Sequence, residues 1–124
     1  PGLSVPPGTT RRVLPGQTLL PGFVEGHSHL LLHPYDKTPW DDQVLKESEA
    51  YRVARAVAHA KATLLAGFTT VRDLGSEGAG TADVGLKRAI NEGHVPGPRM
   101  IVATRALVAP GSYAPKNDAW HVPQ

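Results

Sequence analysis

Residues 19–32 read LLPGFVEGHSHLLL, an apolar segment that carries two histidines and ends in three leucines. The Pro-Gly pair at 21–22 is a break, so the residues after it predict a buried strand from Phe23 to about His27, with His29 at its carboxyl end. In a strand, residues i and i+2 point to the same face and lie about 6.6 Å apart along the chain. The spacing therefore predicts that both imidazoles lie on one side of the strand and can reach one cation.

Glu25 has the same parity as the two histidines, which suggests a carboxylate that orients one of the imidazoles from outside the ligand set. A His-x-His pair by itself is a weak signal, because short chains contain it by chance and exposed histidines are common. The alternative to a metal site is a pair of ordinary surface histidines, and the surrounding sequence has to decide between them.

A helix is predicted after this strand and a loop at 33–40. Apolar residues at helical spacing predict that it runs near 48–66 and ends at Gly67. Its predicted core face consists of Ala50, Val53, Ala54, Val57, Ala60, Leu64 and Leu65. Arg52, Arg55 and His59 fall on the opposite side and are predicted to face solvent.

Strands and helices continue to alternate further along the chain. The sequence predicts a strand at 68–73, a glycine-rich loop at 74–80, a helix at 82–92 and a strand at 99–104. Short apolar strands separated by helices of ten or more residues are typical of βαβ units with a parallel sheet. Right-handed connections would place both helices on the same side of that sheet.

The residues before the first of these strands have a different character. Residues 1–20 predict two short strands, at 11–14 and 17–20, with turns at 6–8 and 15–16. Such short pieces bury too little surface to be stable alone. They are therefore interpreted as part of a small β domain.

Composition narrows the classes of function. The 124 residues are 40% hydrophobic and 19% charged, which suits one small globular domain. A net charge of +2 without a basic run argues against a nucleic-acid-binding surface. The absence of cysteine excludes disulfides and thiolate metal sites, and no apolar run approaches the roughly 18 residues of a membrane helix. We expect neither nucleic acid nor a membrane as a partner.

Three segments, in this order, resemble the amidohydrolase superfamily, close to its imidazolonepropionase-like and Xaa-Pro dipeptidase-like branch. They are PGFVEGHSH at 21–29, GFTTVRDLG at 67–75 and GPR at 97–99. Together they run through most of residues 14–113. The resemblance implies an α/β fold in which residues 21–124 form the first three βα units of a (β/α)8 barrel. It also implies that residues 1–20 are a remnant of a small β-sandwich domain.

The same resemblance implies a hydrolase that cleaves an amide, peptide or cyclic amide bond with water activated on one or two divalent metals, zinc first among them. His27 and His29 then bind the more buried metal, while a lysine, two histidines and an aspartate from later strands complete the set. Most members carry aspartate where this chain has Glu25, which leaves the geometry of that carboxylate open. The implied substrate is a small molecule or a dipeptide, and a homo-oligomer of the full-length enzyme is left open.

Two further residues are candidates for the site. Asp73 either forms hydrogen bonds near the metal, as a catalytic candidate, or caps the loop that follows it. Tyr113 either contacts substrate, as the resemblance implies, or is an ordinary loop residue. Active sites of such barrels lie at the carboxyl ends of the strands, where both residues are expected.

The 124 residues are too few for a complete barrel, which takes roughly 250 residues. We therefore expect this chain to be the amino-terminal part of a larger enzyme and to be inactive alone. The alternative is a non-catalytic fragment or homologue of the same fold.

Overall fold

The computed structural model describes residues 4–109. Its elements are, in chain order, β1 (Phe23–Ser28), α1 (Trp40–Leu45), α2 (Glu49–Leu65), β2 (Phe68–Asp73), α3 (Ala82–Asn91) and β3 (Arg99–Val102). The three strands form one parallel sheet in the order β1-β2-β3. This arrangement confirms the predicted alternation of strands and helices and the predicted parallel pairing.

The register brings the carboxyl ends of the strands to one edge of the sheet. Phe23 lies opposite Phe68 at the start of β1 and β2, and Ser28 lies opposite Asp73 at their end. Asp73 in turn lies opposite Val102 of β3. His29, which directly follows β1, therefore belongs to the same edge as the loop that follows β2.

The buried core joins the sheet to the helices and to the loops at that edge. Helix α2 packs against β2 and α3, and α3 packs against β3. The core cluster consists of Leu30, Leu31, Ala56, Ala60, Val71, Ala79, Ala82, Leu86 and Met100. Residues just after β1 are thus as deeply buried as those of the central strand, which matters for the site described below.

Local signals define both ends of α2. The Ser48 side chain accepts a hydrogen bond from the Tyr51 N–H (3.3 Å) at its start. Gly67 follows its end with a φ of +98°, a left-handed conformation that favours glycine. The Gly67 carbonyl accepts from the Phe23 N–H (2.8 Å) and so joins the end of the helix to the start of β1.

The buried face of α2 differs from the predicted one. Arg52, Ala56 and Ala60 are buried, whereas Ala50 and Leu65 of the predicted core face are exposed. The reason is that the Arg52 guanidinium donates hydrogen bonds to carbonyls in the loops after β1 and β2. Those acceptors allow a charged side chain to take a position that polarity alone assigns to solvent.

Helix α1 was not predicted, since the sequence favoured a loop up to Trp40. Pro39 precedes it and Asp41 and Asp42 lie in its first turn, both of which are typical of a helix start. With only six residues, it is too short for helical periodicity to be recognised. Gln43 and Val44 of this helix are buried.

The two strands predicted at 11–14 and 17–20 are wrong. These residues are exposed and form no strand, because none of the strands in the described part of the chain pairs with them. The two turns are confirmed: the Thr9 N–H donates to the Pro6 carbonyl and the Gln17 N–H to the Leu14 carbonyl, each at 3.3 Å.

No helix within residues 4–109 combines the length and the apolar character needed to cross a bilayer.

Candidate metal centre

His27 lies in β1 and His29 directly follows it. Their ring centroids are 5.3 Å apart, with the planes at 68° to each other in an edge-to-face arrangement. The His27 side chain is exposed and that of His29 is half-buried. The two rings therefore lie on the same side of the strand, as the spacing predicts, and remain accessible to an ion.

The His29 ring is fixed by the loop after β2. Its Nδ1 lies 3.0 Å from the carbonyl oxygen of Gly75. Because a carbonyl only accepts, Nδ1 carries the proton of this bond, and the neutral ring keeps its lone pair on Nε2. This is how metal-ligating histidines are commonly oriented, with one nitrogen donating to a backbone carbonyl and the other free to bind.

Gly75 itself has a conformation that favours glycine. Its φ is +154° and the residue is buried. A Cβ at this position would meet only ordinary van der Waals contacts, the nearest at 3.5 Å. Backbone conformation, and not lack of space, therefore accounts for glycine at the position whose carbonyl accepts from His29.

Glu25 has a different role from the predicted one. Its Oε1 accepts a hydrogen bond from the backbone N–H of His27 at 3.0 Å. The carboxylate thus constrains the main chain of the candidate ligand instead of orienting an imidazole.

Asp73 is fully buried at the end of β2. Its Oδ2 accepts from the Leu30 N–H at 2.9 Å, and its Oδ1 accepts from the Gly75 N–H at 3.2 Å. Burial raises the pKa of the Asp73 carboxyl, and the two backbone donors oppose that shift. Asp73 caps its own loop, which was one of the two alternatives, and also holds the backbone next to His29.

The sequence did not predict the contact between His33 and His59. The His59 Nδ1 donates to the Leu30 carbonyl at 2.9 Å, and its Nε2 lies 3.2 Å from the His33 Nδ1. His59 is therefore half-buried against the loop after β1, and the prediction that it faces solvent is wrong. The Leu30 peptide is held on both sides, at its N–H by Asp73 and at its carbonyl by His59.

Within the described residues, His27 and His29 form only part of a metal-ligand set. In the range 4–109, no group of three or more histidine, aspartate or glutamate side chains could surround one ion. Catalytic zinc usually has three protein ligands and a water. Tyr113, the candidate substrate contact, lies outside the described residues.

Comparison with known proteins shows the family to which this fold belongs. The model of the amidohydrolase family matches residues 18–119, which is most of the chain. The chain belongs to the amidohydrolase family. The matched range of this amidohydrolase includes His27, His29 and Asp73, and the resemblance noted in its sequence is confirmed.

Solved structures of similar proteins lead to the same family. A Xaa-Pro dipeptidase with methionine bound in its active site is 29% identical with a TM-score of 0.64, over 82% of this chain and 24% of that one. A prolidase complexed with N-methylphosphonate-L-proline is 32% identical with a TM-score of 0.57, over 73% of this chain and 20% of that one. Ochratoxinase of A. niger is 27% identical with a TM-score of 0.52, over 66% of this chain and 18% of that one.

This amidohydrolase chain therefore spans about a fifth to a quarter of the length of those structures. No curated protein matches it. Its parallel strands and intervening helices are the start of a (β/α)8 barrel, as the sequence predicted.

Proposed function

We propose that this chain supplies two ligands, His27 and His29, to a divalent-metal centre in an enzyme that hydrolyses an amide or peptide C–N bond. The observation that carries the proposal is the hydrogen bond from His29 Nδ1 to the Gly75 carbonyl, because it leaves the Nε2 lone pair available. The His27 ring lies on the same side, 5.3 Å away. Neutral imidazole pairs suit zinc, and one or two ions are proposed for the full centre.

The fit to a metal rests on the chemistry of these two donors. When bound, the metal lowers the pKa of a coordinated water to around 7 and polarises the scissile carbonyl. The chain's own residues hold the ligands for this purpose: the Gly75 carbonyl orients the His29 ring, and the Glu25 carboxylate fixes the backbone of His27. In hydrolysis the carbonyl carbon gains the hydroxyl of water and the departing amine gains a proton.

The proposed substrate is a dipeptide or another small amide. Support comes from two of the similar structures, a prolidase with a proline phosphonate and a Xaa-Pro dipeptidase with methionine. Tyr113 is proposed as a substrate contact on the basis of the family resemblance alone. Asp73 is proposed to hold the loops after β1 and β2 in position, since its two oxygens accept hydrogen bonds from the N–H groups of Leu30 and Gly75.

The division of the chain at residue 20 also remains a proposal, with a β-sandwich remnant at 1–20 and barrel at 21–124. Two observations support it. The described residues of the first segment, 4–20, are exposed and form turns only. The first backbone hydrogen bond to the barrel units is that from the Phe23 N–H to the Gly67 carbonyl.

Zinc titration of the metal-free 124-residue chain tests the proposed site. His27→Ala and His29→Ala should each weaken zinc binding at least tenfold, because each removes one of two ligands. His94→Ala is the matched control, since His94 is an exposed histidine beyond α3 whose imidazole lies 3.2 Å from the Glu92 carboxylate. Its zinc affinity should stay within about twofold of the parent.

A double variant, His27→Ala with His29→Ala, tests whether this pair is the metal site. If zinc binds the double variant as tightly as the parent, the pair is not the metal site. We also expect no hydrolysis of dipeptides or cyclic amides by the parent chain above that of the double variant, because catalytic zinc takes a third protein ligand. Clear turnover would show that the described site needs no further residues.

A further inference from the structure

Arg52 is the largest fully buried side chain in the described residues, with 1% exposed. Its guanidinium donates from Nε to the Leu31 carbonyl at 3.2 Å, from Nη1 to the Glu77 carbonyl at 2.8 Å and from Nη2 to the Ser76 carbonyl at 3.0 Å. Burying a cation is costly unless its donors are satisfied. Here one planar group provides all three donors to backbone acceptors.

The three acceptors lie on both sides of the hydrogen bond that orients His29. Leu31 is two residues after His29, in the loop after β1. Ser76 and Glu77 directly follow Gly75, whose carbonyl accepts from His29. A single side chain of α2 therefore joins the two loops that the His29–Gly75 hydrogen bond connects.

We propose that Arg52 is a positioning residue, which holds the Gly75 carbonyl against His29 Nδ1 and so keeps the His29 lone pair on Nε2. This inference rests on the proposed function, since it assumes that His29 Nε2 binds the metal. A lysine at this position would keep the charge but carries a single ammonium, which cannot reproduce the planar fork that reaches three carbonyls. The geometry of the fork, and not charge alone, is therefore the property to test.

The tautomer of His29 in the metal-free protein provides a readout that a loss of stability alone does not move. In protein with ¹⁵N-labelled histidine at about pH 8, above the ordinary histidine pKa of about 6.5, ring nitrogen shifts distinguish Nδ1–H from Nε2–H. The parent should show Nδ1–H at His29. Arg52→Lys should populate both tautomers.

Arg55→Lys is the matched control. Arg55 lies on the same helix, and its guanidinium pairs with Glu47 at 2.6 Å and contacts Gln43. Its hydrogen bonds go to Glu47 and Gln43, in and just after α1, whereas those of Arg52 go to the loops after β1 and β2. Arg55→Lys should therefore leave the Nδ1–H tautomer of His29 unchanged, although it perturbs an ion pair on the same helix.

Zinc affinity provides the second readout. Arg52→Lys should weaken zinc binding about tenfold, the lower end of the loss seen when the hydrogen-bond partner of a metal ligand is removed. Arg55→Lys should stay within about twofold of the parent. A third measurement needs no variant: in the parent, the Arg52 Nε–H and the His29 Nδ1–H should exchange with solvent through the same opening.

The possible results separate this inference from the proposed function. A changed His29 tautomer in Arg52→Lys, without zinc binding by any form, supports the positioning role and removes the metal site. Zinc binding with the same affinity and the same single tautomer in Arg52→Lys and the parent overturns the positioning role and leaves the metal site intact. If Arg52→Lys does not fold, the exchange measurement on the parent decides. An Arg52 Nε–H that is protected from exchange while the His29 Nδ1–H exchanges freely overturns the positioning role.

Discussion

The two ends of β1 are held very differently. At its start, Phe23 and Val24 are 51% and 69% exposed, and Leu19 just before them is 89% exposed. Beyond its carboxyl end, Leu30 and Leu31 are only 4% and 0% exposed. The chain is thus at the surface where this six-residue strand begins and enters the core of the described residues just beyond its carboxyl end.

Hydrogen bonds account for the contrast as much as apolar contacts do. The start of β1 is joined to its neighbours by the Phe23 N–H to Gly67 carbonyl bond and by a tilted contact between the Phe23 and Phe68 rings at 5.7 Å. The segment after β1 is held by side chains of β2 and α2, namely Asp73, His59 and Arg52. The end that carries the candidate ligands is therefore ordered by these neighbouring elements, which is the support that a precise site needs.

The largest effect is expected from shortening a leucine at the buried end. Leu31→Ala should lower the free energy of unfolding by about 3 kcal/mol, because it leaves a cavity in a packed core. Leu19→Ala, the matched change at the exposed end, should stay within about 0.5 kcal/mol of the parent. Urea unfolding of the two variants measures both values, and equal losses would contradict the contrast between the two ends.

A smaller loss is expected from removing the carboxylate that joins the two loops. Asp73→Ala leaves the buried N–H groups of Leu30 and Gly75 without their acceptor and should cost about 2 kcal/mol. Asp36→Ala is the control, because the Asp36 side chain is 74% exposed and lies 3.9 Å from the Lys37 ammonium. That variant should unfold within about 0.5 kcal/mol of the parent. An Asp73→Ala protein as stable as the control would mean that the loops hold each other without this residue.

Much of the fold could be predicted because it depends on short-range patterns. The apolar strands beginning at Phe23, Phe68 and Arg99, and the glycine at position 67, are local signals that the structure confirms. The common side of His27 and His29 follows from the two-residue period of a strand and needs no knowledge of other elements.

The parts that sequence could not predict depend on acceptors distant in the chain. Polarity assigns Arg52 and His59 to solvent, yet their partners are the carbonyls of Leu31, Ser76, Glu77 and Leu30, more than 20 residues away. A buried side chain that donates to a loop carbonyl has no periodic signal of its own. The one available hint was that polar residues recur at 52, 55 and 59 on a helix whose remaining residues are mostly small.

The smallest effect, and the most specific to the buried end, concerns pH. Burial raises the pKa of Asp73 above its ordinary 3.8, so between that value and the raised pKa the folded protein binds more protons than the unfolded chain. The stability that Asp73 contributes through this shift is fully present below 3.8 and is lost as the pH rises through the folded pKa. The difference in unfolding free energy between the parent and Asp73→Ala should therefore be larger at about pH 3.5, below that ordinary value, than at pH 7. The difference between the parent and Asp36→Ala should change less, because exposed charges are screened by solvent. Urea unfolding at both pH values measures this, and a difference for Asp73→Ala that shrinks at about pH 3.5 would mean that the two backbone N–H donors outweigh burial at this carboxylate.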